Sequence, residues 1–449
     1  MLNNHIRICA AVSMAALVMV GCSEKLVDPT TSTIEQQPVA GAVAPRDGDG
    51  SVVSRYAGES WSLGKVPETA RQADASKTPI KIGTMNIDNA PVGALPELTQ
   101  GDEAAVRFIN AELGGVNGRP IELVKCSLDL SPEKSQACAR KMVDEKVLAV
   151  VPGINLASQV AIPILRDAGI PLVGGIPINQ EDMTSPMSFQ FSGGTAAAFA
   201  GFAYHAADVV HAKKVSVVFA QLPQIAGAAT KYGSEVLRRK GVDVVDVPFD
   251  MFATDMSGVI QKAVANQPDA LLVAASDVAC ATVMNAIADL GVTAKVYLVG
   301  ACADRKWIDQ VGVDRVKNVI FGIELRLDQS GSRNVDTEMY QLVMKTYGEG
   351  VNAAGAATVA FNSFMNLYGV LSELGDAPTS DGVVSILRAS KDRPGFNSHS
   401  YTCDGKQMPD LPSLCSPELV LAKIIGPSPV DMEEVSDGWI DVPRVLASS

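Results

Sequence analysis

Histidine is scarce in this 449-residue chain, and the patterns of common catalytic and metal sites are missing. The four histidines stand at 5, 205, 211 and 399, and no two of them have the spacing of metal ligands. The chain has no Gly-x-Ser-x-Gly motif, no nucleophile beside an obvious base and no phosphate-binding loop. We therefore expect neither a metal nor another cofactor, and we expect that the protein is not an enzyme.

Basic residues are outnumbered, and long apolar runs are missing from most of the chain. Lys and Arg number 37 against 50 Asp and Glu, so the net charge is −13. Because no stripe rich in Lys and Arg is present, nucleic acid is not an expected partner. After residue 20 no segment reaches the run of about 18 apolar residues that suggests a membrane-crossing helix. The sequence predicts a body that does not cross a membrane.

The longest apolar run lies near the N-terminus and is typical of a signal peptide. It occupies residues 8–20 behind the cationic Arg7, and it is short for a bilayer-spanning helix of about 20 residues. It ends in Met19-Val20-Gly21-Cys22, which resembles the bacterial lipobox, where the cysteine is lipidated and becomes the first residue. We predict a lipoprotein signal peptide over 1–21 and a lipid anchor on Cys22, at the extracytoplasmic face of a bacterial cell membrane. The alternative is an ordinary cleaved signal with an incidental cysteine.

Residues 22–77 are predicted to form a flexible tether. Pro, Ser, Thr, Gly and Asp are frequent there, and no helical or strand period is sustained. Such a segment cannot bury enough apolar surface to offset the entropy lost on ordering it. Trp61 and Leu63 are exceptions to this composition, and for them docking on the folded body is the alternative.

Six cysteines remain once Cys22 and Cys9, which lies in the signal, are set aside. Six thiols allow fifteen disulfide connectivities, and the sequence alone does not choose between them. An even number in an exported chain favours disulfides, because that compartment is oxidising. A metal site is the weaker alternative, because none of the six forms a C-x-x-C pair. We choose nearest-neighbour pairing: Cys126–Cys138, Cys280–Cys302 and Cys403–Cys415.

The remaining body alternates short β-rich runs with amphipathic helical periods. The first run is 80–85, and a helical period over 102–113 follows it and stops at Gly114-Gly115. The same order recurs in a second block from about 195 onward. Near-continuous Val, Ile and Leu in the strands is typical of parallel sheets that are covered on both faces. Because roughly 370 residues are too many for one core, the sequence predicts two α/β lobes.

Several motifs of this body resemble those of a known family. Residues 108–123 read FINAELGGVNGRPIEL and look like the "IN…GGINGR-IEL" signature of the type I periplasmic solute-binding proteins of ABC importers. The resemblance is to the branched-chain amino acid and amide/urea group, and it extends over about 80–425. Further matching segments are 131–134 (SPEK), 168–171 (AGIP), 255–257 (DMS) and 401–405 (YTCDG).

The resemblance implies an α/β fold of two Rossmann-like lobes, joined by a hinge of several strands, with the ligand cleft between them. It places the first lobe at 78–193 plus 325–392 and the second at 194–324 plus 393–440. It implies a monomer that closes on a small solute, such as an amino acid or an amide, and delivers it to an ABC permease and its ATPase. The alternative is a ligand sensor of the same fold that reports to a signalling partner.

Candidate ligand-binding residues follow from the fold, because ligands of open α/β sheets lie beyond the carboxyl ends of the strands. Ser158 opens a predicted helix, in a position where the amino acid binders carry Ser or Thr. Its hydroxyl is suited to hold a carboxylate or carbonyl oxygen, and the alternative is a plain helix cap. The full set is Asn89, Asn155, Ser158, Gln159, Gly175, Ile176 and Ile178 in the first lobe, and Gln221, Gln224, Asp277, Cys302 and Asp304 in the second.

Three positions depart from the pattern of the amino acid binders. Ile178 stands where a hydroxyl residue is usual, and Cys302 stands where an acidic residue holds the α-ammonium group, with Asp304 two residues later. Gln224 and Asp277 replace an aromatic clamp. Asp277 is suited to bind an ammonium group or to cap the helical period over 278–290. An apolar or neutral polar solute, such as an amide, is therefore expected as readily as leucine.

Overall fold

Strands and helices alternate through most of the chain, as the sequence pattern predicts. The computed structural model describes residues 50–90, 94–251, 253–275, 279–325, 333–353, 355–408, 410–426 and 431–448. The predicted signal peptide, the proposed lipid anchor Cys22 and the candidate Asp277 lie outside the described residues.

The described strands are short and evenly spaced. They are β1 Ser60–Trp61, β2 Gly64–Lys65, β3 Ile80–Asn86, β4 Ile121–Ser127, β5 Ala149–Val150, β6 Leu172–Val173, β7 Ser188–Phe189, β8 Lys214–Ala220, β9 Asp243–Phe249, β10 Ala270–Ala274, β11 Lys295–Val299, β12 Val319–Ile323, β13 Val420–Ile424 and β14 Met432–Glu434.

Helices occupy most of the connections between these strands. They are α1 Val52–Tyr56, α2 Pro96–Glu112, α3 Pro132–Asp144, α4 Ser158–Asp167, α5 Gln180–Thr184, α6 Gly194–Tyr204, α7 Pro223–Ala228, α8 Glu235–Arg239, α9 Ser257–Val264, α10 Cys280–Asp289, α11 Arg305–Val311, α12 Val313–Val316, α13 Val335–Tyr347, α14 Ala356–Glu373, α15 Ser380–Ala389 and α16 Val442–Ala447. Two π-helical segments, His205–Val209 and Ala229–Ser234, continue α6 and α7.

Two large sheets share one topology. The first has the strand order β4-β3-β5-β6-β7 and is parallel throughout. The second has the order β14-β13-β12-β11-β10-β8-β9, in which β8 to β12 are parallel and β13 and β14 form an antiparallel edge. When the parallel strands of each sheet are numbered from 1 in chain order, and the second sheet is read from β9, both sheets have the strand order 2-1-3-4-5. The predicted pair of Rossmann-like α/β units is confirmed.

Each sheet carries apolar cores on both faces, and we call each sheet with its helices a lobe. In the first lobe, α2, α13, α14 and α15 pack on one face and α3 and α4 on the other. In the second lobe, α6, α8 and α16 cover one face and α9 to α12 cover the other. The β3 and β8 strands are almost wholly buried, because both of their faces are covered.

Helix α2 begins at Pro96, six residues before the predicted start at 102. Proline is tolerated in the first turn of a helix, since its missing N–H has no partner there anyway. The added turn brings Glu97 and Leu98 to the carboxyl end of β3. Further along α2, Gly101 allows a close approach to α14, where a Cβ atom would lie 2.7 Å from the carbonyl oxygen of Ala357.

The family-like signature at 108–123 is a structural element. The side chain of Asn110 donates to the carbonyl of Ile121 and accepts from its N–H, both at 2.8 Å, so it joins α2 to β4. The turn between them needs positive φ at Gly115 (+66°), where a Cβ atom would meet the carbonyl oxygen of Arg119 at 2.1 Å. The signature therefore fixes a helix-to-strand turn.

Residues 50–77 pack on the first lobe, so the predicted tether over 22–77 is wrong for this part. Val52, Val53 and Tyr56 are almost fully buried, and Trp61 lies edge-on to Phe396 with ring centroids 6.1 Å apart. The segment has no period because it consists of short pieces, each of which buries a few apolar side chains. We call residues 50–77 the strap.

The three disulfides pair nearest neighbours along the chain, as predicted. Cys126–Cys138 joins β4 to α3, Cys280–Cys302 joins α10 to the segment after β11, and Cys403–Cys415 closes a loop in the C-terminal region. A disulfide that closes a loop of this length typically stabilises the folded protein by about 2–4 kcal/mol.

The chain passes between the lobes near Glu324. Its carboxylate accepts from the N–H of Gly193 at 2.9 Å, and this bond joins the end of β12 to the start of α6. Burial raises the pKa of Glu324 to about 7. Cys403 and Cys415 both pack in the first lobe, whereas β13 belongs to the second sheet from Val420 onward. We propose that the last crossing lies between 415 and 420 instead of near 392.

The strap should depend on the buried carboxylate of Glu112. This group accepts from the hydroxyl of Ser51 (2.7 Å), the N–H of Val53 (2.8 Å) and the hydroxyl of Tyr347 (2.6 Å). Glu112→Ala removes all three acceptor contacts, and we expect the free energy of strap opening to fall by about 3 kcal/mol. Hydrogen exchange of the amides of 52–66 measures this opening.

The matched control is Glu122→Ala, which removes an exposed carboxylate from β4. It should leave exchange in the strap unchanged. Equal exchange in Glu112→Ala and in the wild type would contradict the role of Glu112.

Candidate ligand-binding site

Segments that follow the carboxyl ends of strands in the two lobes contact each other directly. Asn179 follows β6 and Glu97 follows β3 in the first lobe, while Gln224 follows β8 and Lys306 follows β11 in the second. The Nε2 atom of Gln224 donates to Oδ1 of Asn179 at 2.6 Å. The Nζ atom of Lys306 lies 3.4 Å from Oε1 of Glu97. The two lobes therefore meet where α/β sheets bind ligands.

A third contact inserts Asp304 of the second lobe into the first. Its Oδ1 accepts from the side chain of Asn352 at 2.6 Å and from the N–H of Lys306 at 2.9 Å, so the same carboxylate caps α11. Asp304 is 2% exposed, and burial raises its pKa, although its hydrogen bonds oppose this shift. At Gly355 a Cβ atom would lie 2.7 Å from Oδ2 of Asp304, so glycine permits this approach.

Asn179 is the centre of the polar network in the first lobe. Its Nδ2 donates to the hydroxyl of Ser158 at 2.7 Å and to the carbonyl of Asn155 at 3.0 Å. Its own N–H and that of Ile178 donate to Oδ2 of Asp182, at 2.7 and 3.0 Å. Asn179 and Asp182 together cap α5. The loop that follows β6 is thereby fixed in one conformation.

Burial raises the pKa of Asp182 to about 6. Hydrogen bonds from Asn179, Ile178 and Ser158 stabilise the carboxylate and oppose this shift. The hydroxyl of Ser158 therefore has two partners in the protein, Asn179 and Asp182. Ser158 is 2% exposed and is the first residue of α4, whereas Ala157 occupies the cap position.

The other candidates lie in three kinds of surroundings. Asn155 is buried and bonded to Ser135, and Gly175 is buried with its N–H donating to the hydroxyl of Ser363 at 3.1 Å. Cys302 is fully buried in its disulfide. Ile176 and Ile178 are partly exposed, and Asn89, Gln159 and Gln221 are exposed. Ligand binding by these residues stays a prediction.

An apolar wall lies beside Glu97. Leu95, Leu98 and Ala360 form a small buried cluster, and Ile154, Ile176 and Ala356 pack against it while remaining partly exposed. The wall contains the candidate Ile176 and also Ile154, which precedes the candidate Asn155 in the chain. Its exposed apolar surface comes from Ile154, Ile176 and Ala356.

Sequence reasoning missed Glu97, Lys306 and Asn352, and it did not single out the role of Asn179. The pattern Asn179-Gln-Glu-Asp182 before an apolar residue is a capping signal that could have identified Asn179. Glu97 was hidden because the helix was predicted to start at 102. Lys306 and Asn352 gave no signal, since each acquires its role from a partner far away in the chain.

Within the described ranges no helix is long and apolar enough to cross a membrane. Nor do the described His, Cys, Asp and Glu residues form a group of three or more that is suited to a metal ion.

Comparison with known proteins gives matches to a family model and to solved structures. The model of the periplasmic binding protein family matches residues 79–410. A comparison with curated proteins finds no significant match.

Three solved structures illustrate the likeness. LivJ of Streptococcus pneumoniae, a branched-chain amino acid transporter substrate-binding protein in complex with isoleucine, is 18% identical with a TM-score of 0.64, over 80% of this chain and 99% of that one. A solute-binding protein of an ABC transporter from Rhodopseudomonas palustris in complex with p-hydroxybenzoic acid is 17% identical with a TM-score of 0.67, over 83% and 100%. A fatty acid ABC transporter substrate-binding protein from Thermomonospora curvata is 13% identical with a TM-score of 0.69, over 84% and 96%. At these identities the likeness establishes the fold alone.

The raised pKa of Asp182 predicts a pH dependence of stability. Between about pH 4 and pH 6 the folded protein keeps a proton that the unfolded chain releases, so stability from this group is present at low pH and lost as pH rises through 6. Asp182→Asn removes the titration. The unfolding free energy of the variant minus that of the wild type should rise from pH 4 to pH 6, by at most about 3 kcal/mol, and then stay level.

Urea unfolding at pH 4, 5, 6 and 7 measures this difference. A difference that stays constant over the range, or that falls between pH 4 and pH 6, would show that Asp182 does not titrate as described.

Proposed function

The chain belongs to the periplasmic binding protein family, and from this we propose that it is the lipid-anchored, extracytoplasmic substrate-binding protein of an ABC transporter. The family is one of substrate-binding proteins and not of enzymes. The proposal is that the protein captures a small solute between its lobes and delivers it to a membrane permease. The signal-like residues 8–20 and Cys22 support the location and the anchor.

The contact between the lobes at the carboxyl ends of their strands is the observation that carries this proposal. Hydrogen bonds cross from Gln224 to Asn179 and from Asn352 to Asp304, and an ion pair crosses from Lys306 to Glu97. A solute in this position would contact both lobes at once. Its binding energy would then favour the closed arrangement over an open one, since only the closed arrangement supplies both sets of contacts.

Glu324 supports the same mechanism at the hinge. Its carboxylate binds the N–H of Gly193 and thereby joins segments that lead from one lobe to the other. A rotation of the lobes would be concentrated in such connecting segments, because the cores on either side are tightly packed. The disulfide Cys280–Cys302 lies in the core of the second lobe and ties α10 to the segment between β11 and α11, the helix that carries Lys306.

A thermal-shift screen of the full chain in mild detergent tests the proposal. The panel contains amino acids, amides, ureas, polyamines, small carboxylates and aromatic acids. A solute at 100 times its dissociation constant should stabilise the protein by about 2.7 kcal/mol, a measurable rise in melting temperature. If no compound shifts melting at millimolar concentration, a role as solute receptor is wrong, and a sensor with a protein partner becomes the better explanation.

Closure should depend on the hydrogen bond from Gln224 to Asn179. Gln224→Ala removes one cross-lobe contact, worth about 1 kcal/mol, and we expect roughly five-fold weaker binding of any solute found in the screen. Isothermal titration calorimetry measures the affinity. Gln310→Ala, an exposed position on α11, is the matched control and should bind as the wild type does. Unchanged affinity in Gln224→Ala would show that this bond does not contribute to closure.

A further inference from the structure

The groups that an α-amino acid would need are already engaged within the protein. Asp304, the nearest acidic residue to the usual position for an α-ammonium group, accepts from Asn352 and from the N–H of Lys306 and is 2% exposed. Ser158, the candidate for the carboxylate, is bonded to Asn179 and Asp182. Using either group for a solute would leave its present partner unsatisfied in a buried place, which is unfavourable.

The ion pair of Lys306 with Glu97 is different, because its anionic partner is only partly satisfied. The Nζ–Oε1 distance is 3.4 Å, longer than the 2.7–2.9 Å of a well-formed charge-assisted hydrogen bond. Glu97 is 8% exposed, yet its Oε2 has no hydrogen-bond partner among the residues that the structure describes. A buried carboxylate oxygen without a partner is unfavourable. The pair is therefore a weak point in an otherwise satisfied contact between the lobes.

Apolar surface surrounds this ion pair. The buried Leu95 and Leu98 lie on either side of Glu97 at the start of α2, and Ile154 and Ile176 pack against them while remaining partly exposed. On the other side, Nζ of Lys306 lies 4.8 Å from the centroid of the Trp307 ring. A cation at the edge of an apolar wall fits a solute with one anionic group and an apolar body.

We propose that Lys306 binds the carboxylate of a small carboxylic acid that has an apolar body and no α-ammonium group. The apolar body lies on Ile154 and Ile176, the partly exposed side chains that cover the buried Leu95 and Leu98. The carboxylate of Glu97 occupies the place of the solute carboxylate and is displaced when the solute binds. This assignment rests on the proposed function, since it names the solute class of the same cleft.

The assignment gives opposite expectations for the two partners of the ion pair. Lys306→Met keeps the apolar stem of the side chain and removes the charge, so carboxylate binding should weaken about tenfold or more. Lys306→Arg keeps the charge and should retain most of the affinity. Glu97→Gln removes the competing anion, so carboxylate binding should tighten several-fold. Lys317→Met, the same substitution at an exposed position of the second lobe, is the matched control.

Isothermal titration calorimetry of the full chain in mild detergent at pH 7.5 tests these expectations with benzoate, 4-hydroxybenzoate and hexanoate. Benzamide and L-leucine are the comparison compounds. At least one carboxylate should bind, and benzamide should bind at least tenfold more weakly than benzoate. This comparison of acid with amide uses the wild type, so it decides the matter even where a variant fails to fold.

Three outcomes would overturn the assignment. The first is equal binding of benzoate and benzamide, and the second is carboxylate binding that survives in folded Lys306→Met. The third is the absence of binding for all three carboxylates. If L-leucine binds in that last case, the solute-binding function stands and only the solute class is wrong; if the whole screening panel fails as well, the function itself is wrong.

Discussion

The carboxylate of Asp182 fixes one of the loops through which the two lobes contact each other. It accepts from two successive backbone N–H groups, those of Ile178 and Asn179, and it is bonded to Ser158 at the start of α4. This arrangement leaves the side chain of Asn179 free to reach in two directions, inward to Ser158 and outward to Gln224. A buried carboxylate costs stability near neutral pH, and here the cost is offset by a loop held in one conformation.

The same arrangement is the basis for proposing a solute without an α-ammonium group. Ser158 and Asp304 occupy positions that suggest recognition of a carboxylate and an ammonium group, yet both are hydrogen-bonded within the protein. A buried polar group that already has partners gains little from a solute, since each new bond replaces an old one. In the proposed site, selectivity then depends on groups whose hydrogen bonds are incomplete, and within the described part of the chain Oε2 of Glu97 is such a group.

The parts of the fold that repeat locally could be predicted from the sequence. Alternating strand and helix periods identified two parallel α/β units, and an even set of cysteines in an exported chain led to the three pairs that the structure contains. The strap could not be predicted, because Val52, Val53 and Trp61 belong to pieces too short to show a period. Their burial depends on Glu112 and Phe396, which are distant in the sequence.

The contacts between the lobes were beyond sequence reasoning for a related reason. Gln224 and Asn179 are 45 residues apart, Lys306 and Glu97 are 209 apart, and Asp304 and Asn352 are 48 apart. Each residue is ordinary in its own segment: Gln224 follows a strand, Asp304 caps a helix, and Asn352 lies in a loop. A pattern within one segment shows that a side chain stands at a strand end, but which side chain faces it from the other lobe depends on the full packing of both.

These contacts also set the energy that a solute must supply. Each one joins protein groups only, so part of the energy of closure, about 1 kcal/mol for each contact, is independent of the solute. A solute shifts the balance between open and closed forms only by the difference of its affinity for the two. A carboxylate that replaces Glu97 on Lys306 exchanges the cross-lobe ion pair for an ion pair with the solute, and its body adds apolar contact with Ile154 and Ile176. The solute therefore favours closure through its apolar body, and its ion pair with Lys306 selects for a negative charge.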